Sequence, residues 1–511
     1  MSNTTMWILA AFAGYMVLML CIGAAYMKTG KSSEQYFLGG RNLGGWVVAL
    51  SAQASDMSGW LLMGLPGSVY ALGTGQCWIA VGLFLGTVAN WLIISGRLRR
   101  YTIIANNSLT LPAYFENRFH DKKRVLLGIS SAVIVIFFLV YTASAFASGG
   151  KLFSTVFGCS YHLSLTIGAL IILAYTFMGG FMAVCVTDFI QGMLMLVALV
   201  TVPVVAYALV GGEIGIALEQ TGVHGADFLN VMKNGPERFT PVEIVSQLAW
   251  GLGYCGMPHI LVRFMAVKNQ KELNKSKGIA IVWVAISLFF AIVIGVIGRA
   301  YLFPKVLGAD GGSTETVFIE MIKKIFTQDL RIPIVAGLFL CGILAAIMST
   351  ADSQLLVTAS SVSEDIYKGI IRKDANEERV MKVSRYTVLG VAVLAYLIAW
   401  DPNSSIMGLV SNAWAGLGSA FGPTVLMSLF WRRCNFQGAV AGILSGGLTV
   451  IIWDYIPLIN GQTPGAATGL YSLAVGFAVS TILIVLVSLC TKAPEQSILD
   501  EFDRVASGEE V

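Results

Sequence analysis

Long apolar runs dominate the chain and are separated by short polar connections. A helix that crosses a bilayer needs roughly 20 consecutive apolar residues, so such runs predict about thirteen spans. They fall at 6–27, 45–72, 76–98, 124–148, 161–180, 182–209, 243–263, 278–302, 332–358, 384–400, 406–430, 437–456 and 469–490. The connections 211–240 and 304–330 are the longest on their side and mixed enough to hold short surface helices. Thr491–Val511 is polar and reads as a tail. No basic region precedes the first run, Met6–Met27, so it reads as a span and not as a cleavable leader.

Composition agrees with this pattern. Of 511 residues, 56% are hydrophobic and 12% charged, about half the charged share of soluble domains. The chain is predicted to be an all-α integral membrane protein, a single transporter domain over 1–511, embedded in the lipid bilayer. Its net charge of +4 is small and scattered, which argues against a nucleic-acid partner. Placing the N-terminus outside and the C-terminus in the cytoplasm puts about 25 of the 33 basic residues on the inner side. They include Lys28, Lys31, Arg41, Arg97, Arg99, Arg100 and the cluster from Lys368 to Arg385. The eight cysteines form no CxxC pair and read as small buried hydrophobes. No GxxxxGK[ST] loop is present, which argues against an ATP-driven pump, and no soluble catalytic domain is left over.

Two spans carry residues that interrupt a helix. The second contains Ala54-Ser55-Asp56-Met57-Ser58-Gly59-Trp60, with an acid, two hydroxyls and a glycine at mid-span. The seventh contains Trp250-Gly251-Leu252-Gly253-Tyr254-Cys255-Gly256-Met257-Pro258. Glycine and proline there undermine helix continuity, and non-helical backbone at membrane depth must be buried in protein or line a watery cavity. The two segments lie five spans apart, as symmetry partners in two five-helix repeats would, 45–209 and 243–430. Spans 431–490 are then additions, followed by the tail 491–511. Paired interruptions of this kind point to a transporter's binding site. Taken singly, each glycine is better read as a helix-packing contact.

A third stretch lies in the ninth span, where Ala346, Ser349 and Thr350 share one helix face. A hard cation such as sodium takes oxygen ligands. Two hydroxyls here, with carbonyls freed near Ala54 and Met57, would make a cage for it. Taken alone, Ser349 and Thr350 are better explained by bonds to their own helix.

At these residues the chain resembles the sodium:solute symporter family, in particular its bacterial sodium/proline members. The resemblance runs from the first span to the thirteenth. It rests on Ser51–Gly67 (SAQASDMSGWLLMGLPG), Trp250–Ala266 (WGLGYCGMPHILVRFMA), Ile343–Thr350 (ILAAIMST) and Ala413–Pro423 (AWAGLGSAFGP). It implies thirteen helices around an inverted five-plus-five, LeuT-like core in spans two to eleven. It also implies a sodium site at Ala54, Met57, Ala346, Ser349 and Thr350, with sodium as coupling ion and no other cofactor. The implied solute pocket is Ser58, Gly59, Trp60, Tyr141, Trp250, Tyr254 and Pro258, and the coupling residues are Arg41, Asp56 and Asp188. The implied function is sodium-coupled import of L-proline by alternating access, by a chain acting as a monomer. Cys255 and Asp352 depart from that pattern. Asp352 fits either a helix-end charge or a second ion contact.

Other readings compete. The family also carries other amino acids, pantothenate, sugars and carboxylates. An intramembrane enzyme would need a nucleophile with its base, or metal ligands, at membrane depth. His259 is the only histidine near the candidate site, and no HExxH or GxSxG motif accompanies it. A channel would call for a repeated ring of carbonyls or acids, which the sequence lacks.

Overall fold

The structure is a computed structural model that describes residues 3–26, 33–176, 180–308 and 313–508. Lys28 and Lys31, Met27 at the end of the first predicted span and residues 177–179 of the fifth lie outside the described residues. Apart from a small antiparallel hairpin pairing Lys233–Asn234 with Glu237–Arg238, the elements are helices. Ten of the described helices are long and apolar enough to cross a membrane. The second and seventh predicted spans are interrupted, and the fifth is the shorter helix Tyr161–Thr176.

Burial sorts the helices into centre and periphery. The most apolar windows of Pro333–Ile371 and Ile406–Phe430 are each 83% buried, against 28% for Asn3–Ala25 and 28% for Ser472–Cys490. The first pair therefore forms the centre, and the second pair turns apolar side chains such as Val17 and Leu486 outward. In a bilayer such faces meet lipid and need no protein cover. Helix starts follow ordinary capping chemistry. Ser405 and Asn435 accept hydrogen bonds from the backbone N–H groups of Gly408 and Gly438, which would otherwise lack partners.

Both interruptions are real breaks. The helix Gly45–Asp56 ends at Met57, whose φ of −82° and ψ of 78° are not helical. Helical backbone resumes through a π-type turn, Trp60–Gly64, into Leu65–Leu72. Pro241–Leu248 tightens into a 3₁₀ stretch, Ala249–Gly256, passes through extended Met257, and resumes as Pro258–Met265. A Cβ on Gly256 would lie 2.7 Å from the backbone of both Gly422 and Leu417, so the central helix Ile406–Phe430 packs directly on the break.

Two expectations are corrected, and one connection proves to be ordered. Asp352 is not a helix-end charge: it sits inside Pro333–Ser360 and is fully buried. The connection between the third and fourth predicted spans carries order that the apolar runs do not mark, the helix Leu111–Arg118. The tail is not merely polar either. Gln496–Ala506 is an amphipathic helix that buries Ile498, Phe502 and Val505. Phe502 lies 5.5 Å from the Arg118 guanidinium, Glu501 accepts from His120 at 3.0 Å, and Asp503 pairs with Arg432. The helix thus straps residues of the chain's first quarter to the connection after Ile406–Phe430.

Candidate functional site

The first break leaves backbone oxygens without helical partners. In an unbroken helix the Ser58 N–H would bond to the Ala54 carbonyl. Here it turns to Asp56 O at 3.0 Å, while the Met57 N–H keeps Gln53 O at 2.8 Å. The released Ala54 carbonyl is met from the ninth span by the Ser349 hydroxyl at 2.8 Å. Ser349 Oγ is also 3.2 Å from Ala346 O, so its one hydrogen is shared between two carbonyls. Thr350 Oγ1 donates to Ala346 O at 3.1 Å, the bond to its own helix that the sequence, taken alone, favours. Ala54, Ala346, Ser349 and Thr350 are therefore brought together, and all are buried. Met57, the residue at the break itself, is buried beside them in the sequence. The donor set is all oxygen, as a hard monovalent cation requires.

Asp56 ends the first half-helix and ties the two breaks together. Its Oδ2 accepts from Tyr254 of the second break at 2.6 Å, and its backbone oxygen accepts from the Trp60 indole N–H at 2.8 Å. Its Oδ1 has no hydrogen-bond partner among the described residues, and neither has the Tyr141 hydroxyl or Gln53 Oε1. Buried polar atoms are seldom left unmatched, and exceptions in a native structure mark functional places or unseen ligands. Gly59 is forced by close approach. A Cβ there would lie 2.2 Å from Ser148 Oγ. The next helical turn therefore presses against the Val125–Phe157 helix that also carries Tyr141.

The second break supplies aromatic walls. Tyr254 packs edge-on to Trp414 with ring centres 5.1 Å apart. Trp250 stacks on Tyr471 at 5.2 Å, and its carbonyl accepts from the Trp414 indole. Its described partners are thus Tyr471 and Trp414, one turn away from the Tyr254–Asp56 contact. Pro258 opens the second half-helix and is buried. The neighbouring His259 is fully buried against Phe138 and Tyr141, and both its ring nitrogens lack described partners.

The three coupling candidates separate. Asp56 stands at the break. Asp188 is fully buried, accepts from Ser51 at 2.7 Å, and pairs with Arg263 at 3.1 Å. Arg41 is elsewhere. Its guanidinium donates to the Met265 carbonyl at 2.6 Å, to the Ser108 carbonyl at 2.8 Å, and to Asn107 and Thr102. It so caps the end of the second half-helix, where a cation suits the helix dipole. Burial, and secondarily Arg99, lower its guanidinium pKa to about 10.

The sequence reading passed over Arg263. Its guanidinium also donates to Ser51, to Ser353 at 2.6 Å and to the His259 carbonyl at 2.6 Å. One arginine thus joins both broken helices to the ninth span and to Phe181–Val210. The signal was present: an arginine within the run Pro258–Met265, at membrane depth, is a functional candidate by default.

Known proteins bear on this arrangement. A high-affinity proline transporter of Bacillus subtilis (strain 168) is 44% identical over 485 residues, covering 95% of this chain and 98% of its own length. A sodium/proline symporter of Escherichia coli (strain K12) is 43% identical over 499 residues, covering 97% and 95%. The fold matches a solved, substrate-bound, outward-open Na+-coupled sialic acid symporter with a TM-score of 0.77 at 20% identity, over 96% of this chain and 98% of that one. The model of the sodium:solute symporter family matches residues 36–446. This chain, with its two broken helices facing a hydroxyl-bearing ninth span, belongs to the sodium:solute symporter family.

Proposed function

We propose that this protein imports L-proline together with sodium by alternating access. Its relatives at 42–44% identity include two proline transporters and two sodium/proline symporters, matched over nearly their whole length. The observation that carries the reading is the meeting of Ser349 with the released Ala54 carbonyl, because it gathers oxygens where the helix is broken. Sodium is held there by the carbonyls of Ala54, Met57 and Ala346 and the hydroxyls of Ser349 and Thr350. The solute lies beside it against Ser58, Gly59, Trp60, Tyr141, Tyr254 and Pro258, with Trp250 closing the aromatic end. A proline zwitterion suits this place. Its carboxylate favours the start of the second half-helix, and its compact ring favours the Tyr254 and Trp60 faces. The unmatched Asp56 Oδ1 and Tyr141 hydroxyl supply polar contacts.

In this reading the core is two inverted repeats, 45–209 and 243–430, each opening with a broken helix. Thirteen crossings place the N-terminus outside and the tail in the cytoplasm, and the chain works as a monomer. At about 100 mV one sodium charge supplies about 2.3 kcal/mol, and a tenfold sodium gradient about 1.4 kcal/mol more. One sodium per proline therefore suffices for several-hundredfold accumulation, roughly.

Labelled proline uptake into vesicles, with and without a sodium gradient, tests the reading. Saturable uptake that needs sodium is expected. Sodium-driven uptake of pantothenate, a sugar or a carboxylate, with none of proline, would move the solute elsewhere in the family.

A further inference from the structure

Below Pro258 two cavities follow one another toward the side that carries the basic clusters and the tail. The upper one holds only about 20 Å³, room for a single water. It is lined by Pro258, Arg263 and Ser353 above, and by Leu109, Thr110 and Leu356 below. The lower one, about 380 Å³, is open to the surface past Asn107, Glu116 and Lys373. Leu109 and Thr110 line both, so the segment around them is the wall between the two.

That wall is pinned from two directions. Arg41 holds the Ser108 carbonyl at 2.8 Å. The Thr110 hydroxyl, which caps Leu111–Arg118 by accepting from Ala113 N–H, donates to Asp365 Oδ1 at 2.8 Å. Asp365 is buried, and its other oxygen has no partner among the described residues. A buried acid group so sparsely matched is held at a cost, and opening to water would relieve it. Asp365 also belongs to the continuous helical stretch Pro333–Ile371 that carries Ser349 and Thr350. A shift of that helix at the ion site is therefore delivered to the wall.

Resting on the transport reading above, we propose that these two cavities are the cytoplasmic exit route, that the Leu109–Thr110 segment is its inner gate, and that Asp365 is the positioning residue that holds the gate shut. The solute leaves past Pro258 and Arg263 when the Asp365–Thr110 contact parts. The mixed charges of the lower cavity, Glu116 and Glu364 with Arg124 and Lys368, suit a departing zwitterion.

The test is access to the upper cavity from the cytoplasmic side. Leu356→Cys is placed in a background whose native cysteines are replaced and whose transport survives. Inside-out vesicles are then exposed to a membrane-impermeant thiol reagent. Labelling should be slow in that protein and about tenfold faster when Asp365→Ala is added, the population shift expected from losing a buried hydrogen bond. Asp365→Asn, which can still accept from Thr110, should label slowly. Thr110→Val removes the same contact from the other side and should repeat the fast labelling, so a failure of Asp365→Ala to fold leaves the question answerable. Equally slow labelling in Asp365→Ala and Thr110→Val, or fast labelling only from right-side-out vesicles, overturns the gate. Sodium-dependent proline binding to the same vesicles is measured in parallel. Its absence with labelling as expected would reject proline as solute and leave the gate standing.

Discussion

The Ser349 hydroxyl reaches across 295 positions of sequence to the Ala54 carbonyl, 2.8 Å away. Few contacts constrain the site as much, because the carbonyl exists as a free acceptor only where the helix is broken. If the two groups also hold the coupling ion, Ser349→Ala and Thr350→Ala should each raise the sodium concentration for half-maximal uptake by about tenfold or more, since a methyl cannot replace an oxygen ligand. Sodium titration of proline uptake reads this directly. Unchanged sodium dependence in both variants would take the ion away from this place.

Asp56 is the acid that both breaks touch. Asp56→Asn should insert and fold yet lose nearly all transport, because size is kept and charge is lost at membrane depth. Tyr254→Phe removes only the 2.6 Å bond to Oδ2 and should weaken transport less, by about tenfold. Near-normal uptake by Asp56→Asn would make this carboxylate structural.

At Gly59 the prediction is steric. Gly59→Ala should abolish uptake, because the new Cβ would meet Ser148 Oγ at 2.2 Å and Ser148 Cβ at 2.8 Å. Adding Ser148→Gly should restore function further than adding Ser148→Ala, since only glycine removes both atoms. Equal rescue by the two would show that the hydroxyl alone is the obstacle.

The Asp188–Arg263 pair yields a stability prediction. Asp188→Ala leaves a buried guanidinium without its carboxylate and should cost about 3–5 kcal/mol. Replacing both, with Asp188→Ala and Arg263→Leu, should recover much of that stability without recovering transport. Thermal unfolding in detergent, run beside uptake, distinguishes the two losses. A double variant as unstable as the single would mean that the pair's neighbours Ser51 and Ser353, and not the charge, set the cost.

Much of this molecule could be read from residue types alone, for identifiable reasons. A span needs a long apolar run, so Ile406–Phe430 was found with its ends in place. Asp56 with Gly59, and Gly256 with Pro258, betrayed the breaks because each pair sets a residue that weakens helix continuity beside an acid or a proline at membrane depth. What escaped was of two kinds. Short or amphipathic helices such as Leu111–Arg118 and Gln496–Ala506 carry no long apolar run, although Ile498, Phe502 and Val505 recur at helical spacing. Pairings between distant spans carry no local mark at all. The coupling expectation for Arg41 and Asp188 said nothing of their contacts: Arg41 sits at the end of the second half-helix, and Asp188 pairs with Arg263, an arginine that no spacing rule connects to it.

The strap formed by Gln496–Ala506 also sets a clock. His120 and its partner Glu501 are 381 positions apart. A ribosome adds about 5–20 residues each second, so roughly 20–80 s separate the birth of the two residues. In the finished fold Arg118 rests on Tyr101 and Phe119, donates to the Ser428 carbonyl and meets Phe502, so the last of its neighbours is also the last to be made. The face around Arg118 is thus completed by a segment made some 381 residues after His120, and a chain cut short before residue 496 would lack the Phe502 ring beside that guanidinium.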